Sequence, residues 1–322
     1  MKRIAAICSY ACCVLAAVCL GQAQAQDYPN RAVRIVNPSN PGGGIDMAAR
    51  VYADELAKRW KTPPVVENRP GAAGLIAAQV VAAATPDGYT ILAHSDAAMA
   101  YQFFYKSDFN PEKQLIPLAM LASAPYYFIG NPNSPGKSWA ELVRYAKANP
   151  GKLNFGTFPK TTNHLELLRL VKQAGIDVTF IPYNNAPGKF AAVLANDVQA
   201  ACNGGLSGAS ELVKSGKLAP LAVATSERVA AYPEFPTFKS AGLDYEGGYW
   251  TAWWVPAGTP RDIIARLTAD LAEIIKSQSV AERLAKVATD AEKRPPSETV
   301  PLIRQAAARF GEAAAAAGIK PD

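Results

Sequence analysis

The chain has 322 residues, 49% of them hydrophobic and 19% charged, with a formal net charge of +6. That balance describes a globular protein of about two domains and excludes a disordered or fibrous chain. Its lysines and arginines are dispersed, without a basic block or an aromatic-basic alternation, which argues against a nucleic acid partner, while a mildly positive surface suits a small anion.

Met1-Lys2-Arg3 is a short basic start, Ile4 to Leu20 is almost wholly apolar, and Ala23-Gln24-Ala25 offers the small-x-small pattern that signal peptidase cleaves. The apolar run is short for a membrane span and breaks at Gly21, so residues 1–25 are expected to be a cleaved secretory signal. Cys8, Cys12, Cys13 and Cys19 would leave with it. Cys202 alone would remain, so no intrachain disulfide is possible and the exported protein must fold on its hydrophobic core. Within "VQAACNGG" this cysteine reads as a small buried hydrophobe.

Strand-length apolar runs then alternate with segments of helical period. "AVRIVN" (32–37) reads as a strand, Met47 to Trp60 as a helix, "PVVEN" (64–68) as a strand, and "GLIAAQVVAAA" as a helix opened by Gly71 and Gly74. "DGYTILAHS" gives a third strand behind an Asp87-Gly88 turn. The series restarts with "KLNFGTF" (152–158), a helix over 163–174, "VTFIPY" (178–183), a helix near 190–195, "VQAACN" (198–203), a short helix near 209–215, and "LAPLAVAT" (218–225). The tail reads as helices over 260–277, 280–288 and 301–317. Strand-helix alternation predicts parallel sheets covered by helices, and two such series predict two α/β lobes. "LAMLASAPYYFI" and "GGYWTAWWV" are long apolar-aromatic runs between the series and are the candidate crossovers. This assigns residues 27–124 and 249–322 to one lobe and 125–248 to the other.

In open parallel sheets, ligands bind beyond the carboxyl ends of the strands, where helix N-termini present free N–H groups to anions. The loop from Pro38 to Gly44 follows the first strand. Gly42, Gly43 and Gly44 would let the backbone approach a ligand without a Cβ in the way, or simply form a flexible turn, and Asp46 stands where a helix N-cap is expected. No Gly-Lys-Ser/Thr follows and the spacing is not G-x-G-x-x-G, so this is no standard phosphate cradle. Ser95 and Asn203 close their strands on the same edge. "GTFPKTTNHLE" places Gly156, Thr157, Thr161, Thr162, Asn163 and His164 at the start of a helix, where hydroxyl and amide groups can donate to a carboxylate or cap the helix. "PYNNAPGKF" adds Tyr183 and Asn184 in a third polar loop.

The segments "YPNRAVRIVNPSNPGGGIDMAAR", "VVENRPGAAG", "TPDGYTIL", "IPYNNAPG", "LAVATSERVAAYPEFPTF" and "WTAWWVPAGTP" resemble the Bug family, the extracytoplasmic solute receptors of tripartite tricarboxylate transporters. The resemblance runs from Tyr28 to the C-terminus. It implies a two-lobed periplasmic binding protein fold of type II character, hinged on two crossover segments, which closes over a carboxylated solute and presents it to a membrane transporter. It further implies that the 41–46 loop meets a ligand carboxylate through backbone N–H groups and waters, that the 156–164 and 183–188 loops hold the ligand's other end, and that Trp250 packs near the hinge. Asn184-Asn185 stand where the family usually has lysine-glycine, and His94 and the cluster Tyr101, Phe103, Phe104 and Tyr105 also depart from the family's pattern.

A monomer without cofactor is expected. The 2 histidines, His94 and His164, are too few for a histidine-based metal site. "GGLSG" is not G-x-S-x-G, and "SPGK" fits S-x-x-K without the motifs that accompany it in hydrolases. A secreted hydrolase is thus the weaker alternative, and a receptor that signals ligand to a membrane kinase would share the same fold. Tyr101, Phe103 and Phe104 after the third strand, with Tyr126, Tyr127 and Phe158, raise the expectation that an aromatic carboxylate is preferred, against the alternative that these rings are core.

Overall fold

The computed structural model describes residues 28–42, 44–206, 208–285 and 290–321. The expected signal segment, Gly43 and the end of the helix expected at 280–288 lie outside the described residues.

The first half opens with β1 (Arg34–Asn37), α1 (Gly44–Ala57), β2 (Val65–Asn68), α2 (Leu75–Ala82) and β3 (Thr90–Ser95). Two short helical turns, α3 (Tyr101–Phe104) and α4 (Pro111–Gln114), lead into β4 (Leu115–Gly130). The second half holds α5 (Trp139–Ala148), β5 (Asn154–Thr157), α6 (Thr162–Ala174), β6 (Thr179–Pro182), α7 (Ala186–Ala195), β7 (Ala200–Gly204), α8 (Ser210–Lys214) and β8 (Ala219–Val223). The chain returns through β9 (Gly248–Pro256) and ends in α9 (Arg261–Ile274), α10 (Gln278–Ala285) and α11 (Pro296–Ala316).

Both crossover runs are strands, and they pair antiparallel from Leu115↔Pro256 to Pro125↔Gly248. β9 lies between β3 and β4, completing a first sheet in the order β2-β1-β3-β9-β4. Beyond Pro125 the same β4 strand enters a second sheet, where Tyr126 to Gly130 pair with β7 on one side and Tyr127 to Gly130 with β8 on the other. β1, β2 and β3 are parallel, as are β5, β6 and β7, so each set ends on one edge. Two α/β sheets joined by a pair of antiparallel crossover strands match the architecture expected from the sequence.

Alternation builds the core on both sheet faces. In β9, Trp250, Ala252 and Trp254 face one apolar cluster and Trp253 and Val255 the other. β1 divides likewise, Val36 to the first face and Ile35 to the second, joined there by Val33 just before the strand. In the second sheet Tyr126 and Phe128 face α5 and α6, while Tyr127 and Ile129 face α7 and the residues around Phe235. Sheets covered on both faces read as the near-continuous apolar runs seen in the sequence.

Three helix starts differ from expectation. α7 begins at Ala186, ahead of the expected 190. α11 begins at Pro296, so Pro301 lies inside it rather than opening it. α1 begins at Gly44, which puts Asp46 inside the first turn instead of at the N-cap. α11 packs against β4 and also against α6.

Candidate functional site

The carboxyl ends of both parallel strand sets face a cavity of about 380 Å³. The first half supplies Ala73, Ser95, Asp96 and Ala97. The second supplies Phe158, Thr161, Thr162, Asn163, Asn203 and Gly204, and the crossover strands add Tyr126 and Tyr249. The volume lies within the usual range for small-molecule sites. Another cavity, of about 340 Å³, is lined by Ser123, Glu246, Arg294 and Arg309 among others. There Arg294 is already held by two hydrogen bonds to Glu292, of 2.9 and 2.7 Å. The strand-end cavity takes donors from both sheets and is the candidate site.

Ser95, Thr161, Thr162, Asn163 and Asn203, all expected at the site, come together here. The Thr161 hydroxyl donates to the Phe158 carbonyl at 2.7 Å, closing the turn before α6. Asn163 is buried and its amide donates to Cys202 Sγ at 3.0 Å, which ties α6 to β7. Burial pushes the Cys202 thiol up to about 11, so it acts as the buried hydrophobe expected of it.

Other expected site residues stand apart from the cavity lining. Thr157 Oγ1 lies 3.1 Å from His164 Nδ1, and the His164 ring meets Phe180 edge-on at 5.1 Å, so these side chains serve one another and β6. A Cβ on Gly156 would come within 2.9 Å of Lys189 Cγ, so this glycine admits the buried lysine stem. Tyr183 is half-buried and Asn184 exposed on the loop after β6, where Asn185 caps α7 by accepting from the Gly188 N–H at 2.8 Å. Gly42 and Gly44 have open space where a Cβ would lie. Gly43 is outside the described residues.

Asp46 organises the glycine loop from within. Its carboxylate accepts from the Gly42 N–H at 2.9 Å, from Asn68 at 2.8 Å and from Arg50 Nε at 3.0 Å. Burial works against ionisation, but Arg50, the Gly42 N–H and Asn68 outweigh it and hold the carboxyl below its usual range. Asn68 also donates to the Ser39 carbonyl at 2.8 Å, fastening the loop's other limb.

Most of the aromatic cluster after β3 is core. Tyr101 and Phe104 are buried against α2 and α11, with Phe103 packed at their margin. Cavity rings come instead from Tyr126, Phe158 and Tyr249. The Tyr101 hydroxyl donates to the Ala73 carbonyl at 2.7 Å and meets His94 Nε2 at 2.7 Å. Because His94 Nδ1 accepts from the Ser95 N–H at 2.7 Å, the imidazole proton sits on Nε2 and is given to Tyr101. This relay fixes a left-handed turn with φ of 130° at Gly71, 46° at Ala72, 54° at Ala73 and 103° at Gly74.

Sequence reasoning missed Asp96 and Lys189. Lys189 is fully buried behind Phe158, its Nζ 3.6 Å from the ring centroid and donating to the Cys202 carbonyl at 2.6 Å. Asp96 lines the cavity itself. Its place directly after Ser95, at a strand's carboxyl end, was the one signal available.

A profile of the family described as "Tripartite tricarboxylate transporter family receptor" matches residues 48–319. A UPF0065 protein of Bordetella pertussis is 34% identical over 248 residues, 76% of each chain. Protein BugT of the same organism is 31% identical over 268 residues, 81% of each chain. Among solved structures, the periplasmic binding protein BugD superposes with a TM-score of 0.70 at 27% identity, over 92% of this chain and 100% of its own. A protein of R. palustris with adipate gives 0.74 at 28%, over 92% and 100%. MatC of Rhodopseudomonas palustris with bound malate gives 0.70 at 28%, over 89% and 100%. These matches describe a solute-binding receptor family and no enzyme class. Among the described residues no helix is long and apolar enough to cross a membrane.

Proposed function

The chain belongs to the receptor family of tripartite tricarboxylate transporters, and on that footing we propose that it is a periplasmic solute-binding protein that captures a small carboxylate between its halves and delivers it to a membrane transporter. One observation carries the reading: a cavity of about 380 Å³ lined from both halves where both parallel strand sets end. Residues 27–124 with 249–322 and residues 125–248 act as lobes, and β4 and β9 as the hinge on which they close. Ser95, Asn163 and Asn203 supply hydroxyl and amide groups to the ligand, while Thr161 and Thr162 line the cavity with hydroxyls held by Phe158 and Asp96. The glycine loop, whose Gly42 N–H is held by Asp46, supplies its other backbone N–H groups as the lobes shut.

Rings from Tyr126, Phe158 and Tyr249 at the cavity favour a ring-bearing acid. Such contacts are each worth about 0.5–1.5 kcal/mol beyond burial, enough to rank benzoate or a phthalate isomer above an aliphatic acid of equal charge. Calorimetry of the mature protein tests both levels. Heat from citrate or succinate with none from benzoate or the phthalates would overturn the aromatic preference alone. Absence of heat and of thermal stabilisation with every acid tried would overturn the receptor assignment, since ligand at a hundred times its Kd adds about 2.7 kcal/mol of stability.

A further inference from the structure

Asp96 is 1% exposed, and its Oδ2 is buried without a hydrogen-bond partner. The Thr162 hydroxyl reaches the same carboxyl from the opposite half, and the Ala97 N–H from its own. A buried acceptor left unmatched is costly, and such atoms are few in folded proteins. No lysine or arginine is among the described residues lining this cavity, and the rings of Tyr126, Phe158 and Tyr249 stand around it. Lys189 stands behind Phe158, donating to the Cys202 carbonyl at 2.6 Å, and is not among the lining residues. An acidic oxygen among aromatic faces, with no cation in the lining to neutralise it, is the environment in which a ligand ammonium is held by charge and by ring quadrupoles together.

We propose that the ligand is a carboxylate that also carries a protonated amine, with the ammonium seated on Asp96 Oδ2 and the carboxylate on the hydroxyl, amide and N–H donors opposite. This rests on the receptor reading and narrows it to amino-substituted acids. Burial pushes the Asp96 carboxyl up to about 8, with Glu166 nearby adding to the effect, against the Thr162 hydroxyl and Ala97 N–H. The Asp96 carboxyl on its own thus favours a proton, which leaves to solvent when the ammonium supplies the positive charge in its place.

The test is calorimetry at one pH with three pairs of matched skeleton: aspartate against succinate, 2-aminoadipate against adipate, and phenylalanine against 3-phenylpropanoate. The expected result is that in the pair fitting the cavity the amino acid binds at least tenfold tighter than its partner, and that Asp96→Asn brings the ratio to about one. The wild-type pairs decide the matter should Asp96→Asn fold poorly. Tighter binding of the amine-free partner in every pair that binds overturns the inference and leaves the receptor reading standing; it would instead make Asp96 a proton-bearing donor to a plain carboxylate. If no acid of either series binds, the receptor reading falls and takes this inference with it.

Discussion

Asp46 shows how one carboxylate shapes the glycine loop without lining the cavity. At 1% exposure it gathers the Gly42 N–H, Asn68 and Arg50, and Asn37 at 3.3 Å. Hydrogen bonds to a buried charge are worth about 1.5–3 kcal/mol when one partner is removed, so Asp46→Ala should cost about 2–3 kcal/mol in urea denaturation at pH 7. The sign with pH follows from the depressed carboxyl. Its contribution is complete above the unfolded value of 3.8 and is lost as pH falls through the lower folded value. Asp46→Asn should therefore be less stable than wild type at neutral pH, with the gap closing as pH falls below 4; a gap of constant size would show that shape, not charge, is what the loop uses.

At the scale of the element, the turn from Gly71 to Gly74 holds two alanines in left-handed backbone, each at a cost of about 1–2 kcal/mol. The His94–Tyr101–Ala73 relay keeps it there, and with it the Ala73 face of the cavity. Tyr101→Phe should lose about 1 kcal/mol. Gly74→Ala should lose more, because its φ is 103° and the added Cβ would fall 2.3 Å from His94 Nε2 and 2.5 Å from the Tyr101 hydroxyl. Equal urea midpoints for Gly74→Ala and wild type would mean that the turn rearranges freely. The strands were legible in the sequence because burial on both faces leaves uninterrupted apolar runs, and the polar loops because parallel strands end on one edge. Helix starts were less so: Asp46 and Pro301 are start signals by residue type, yet both lie past the first helical residue. The aromatic cluster misled for a tertiary reason. α3 folds Tyr101 and Phe104 beneath α11, so closely that a Cβ on Gly311 would lie 3.2 Å from the Phe103 ring. Tyr126 and Phe158, named from the sequence, do line the cavity, whereas Asp96 and Tyr249 were not singled out, since only the meeting of the two halves makes them neighbours.

Across the whole molecule, β4 and β9 do more than connect. Every strand pairing of the second sheet joins residues within 126–223, one continuous stretch of chain. The first sheet lacks its middle until β9 arrives at residues 248–256 to fill the gap between β3 and β4. Closing that long loop carries an entropic cost that the local pairings of the second sheet avoid. The two halves should therefore acquire their structure in sequence: pulse-labelled amide exchange during refolding should protect β5 and β7 before β1 and β3, and simultaneous protection would refute this. A chain still short of residue 248 would carry one finished half and one open sheet edge, the kind of surface that pairs with other chains. The strand pair on which the halves would close is thus also the last seam to be sewn, and until then half the molecule is vulnerable to aggregation.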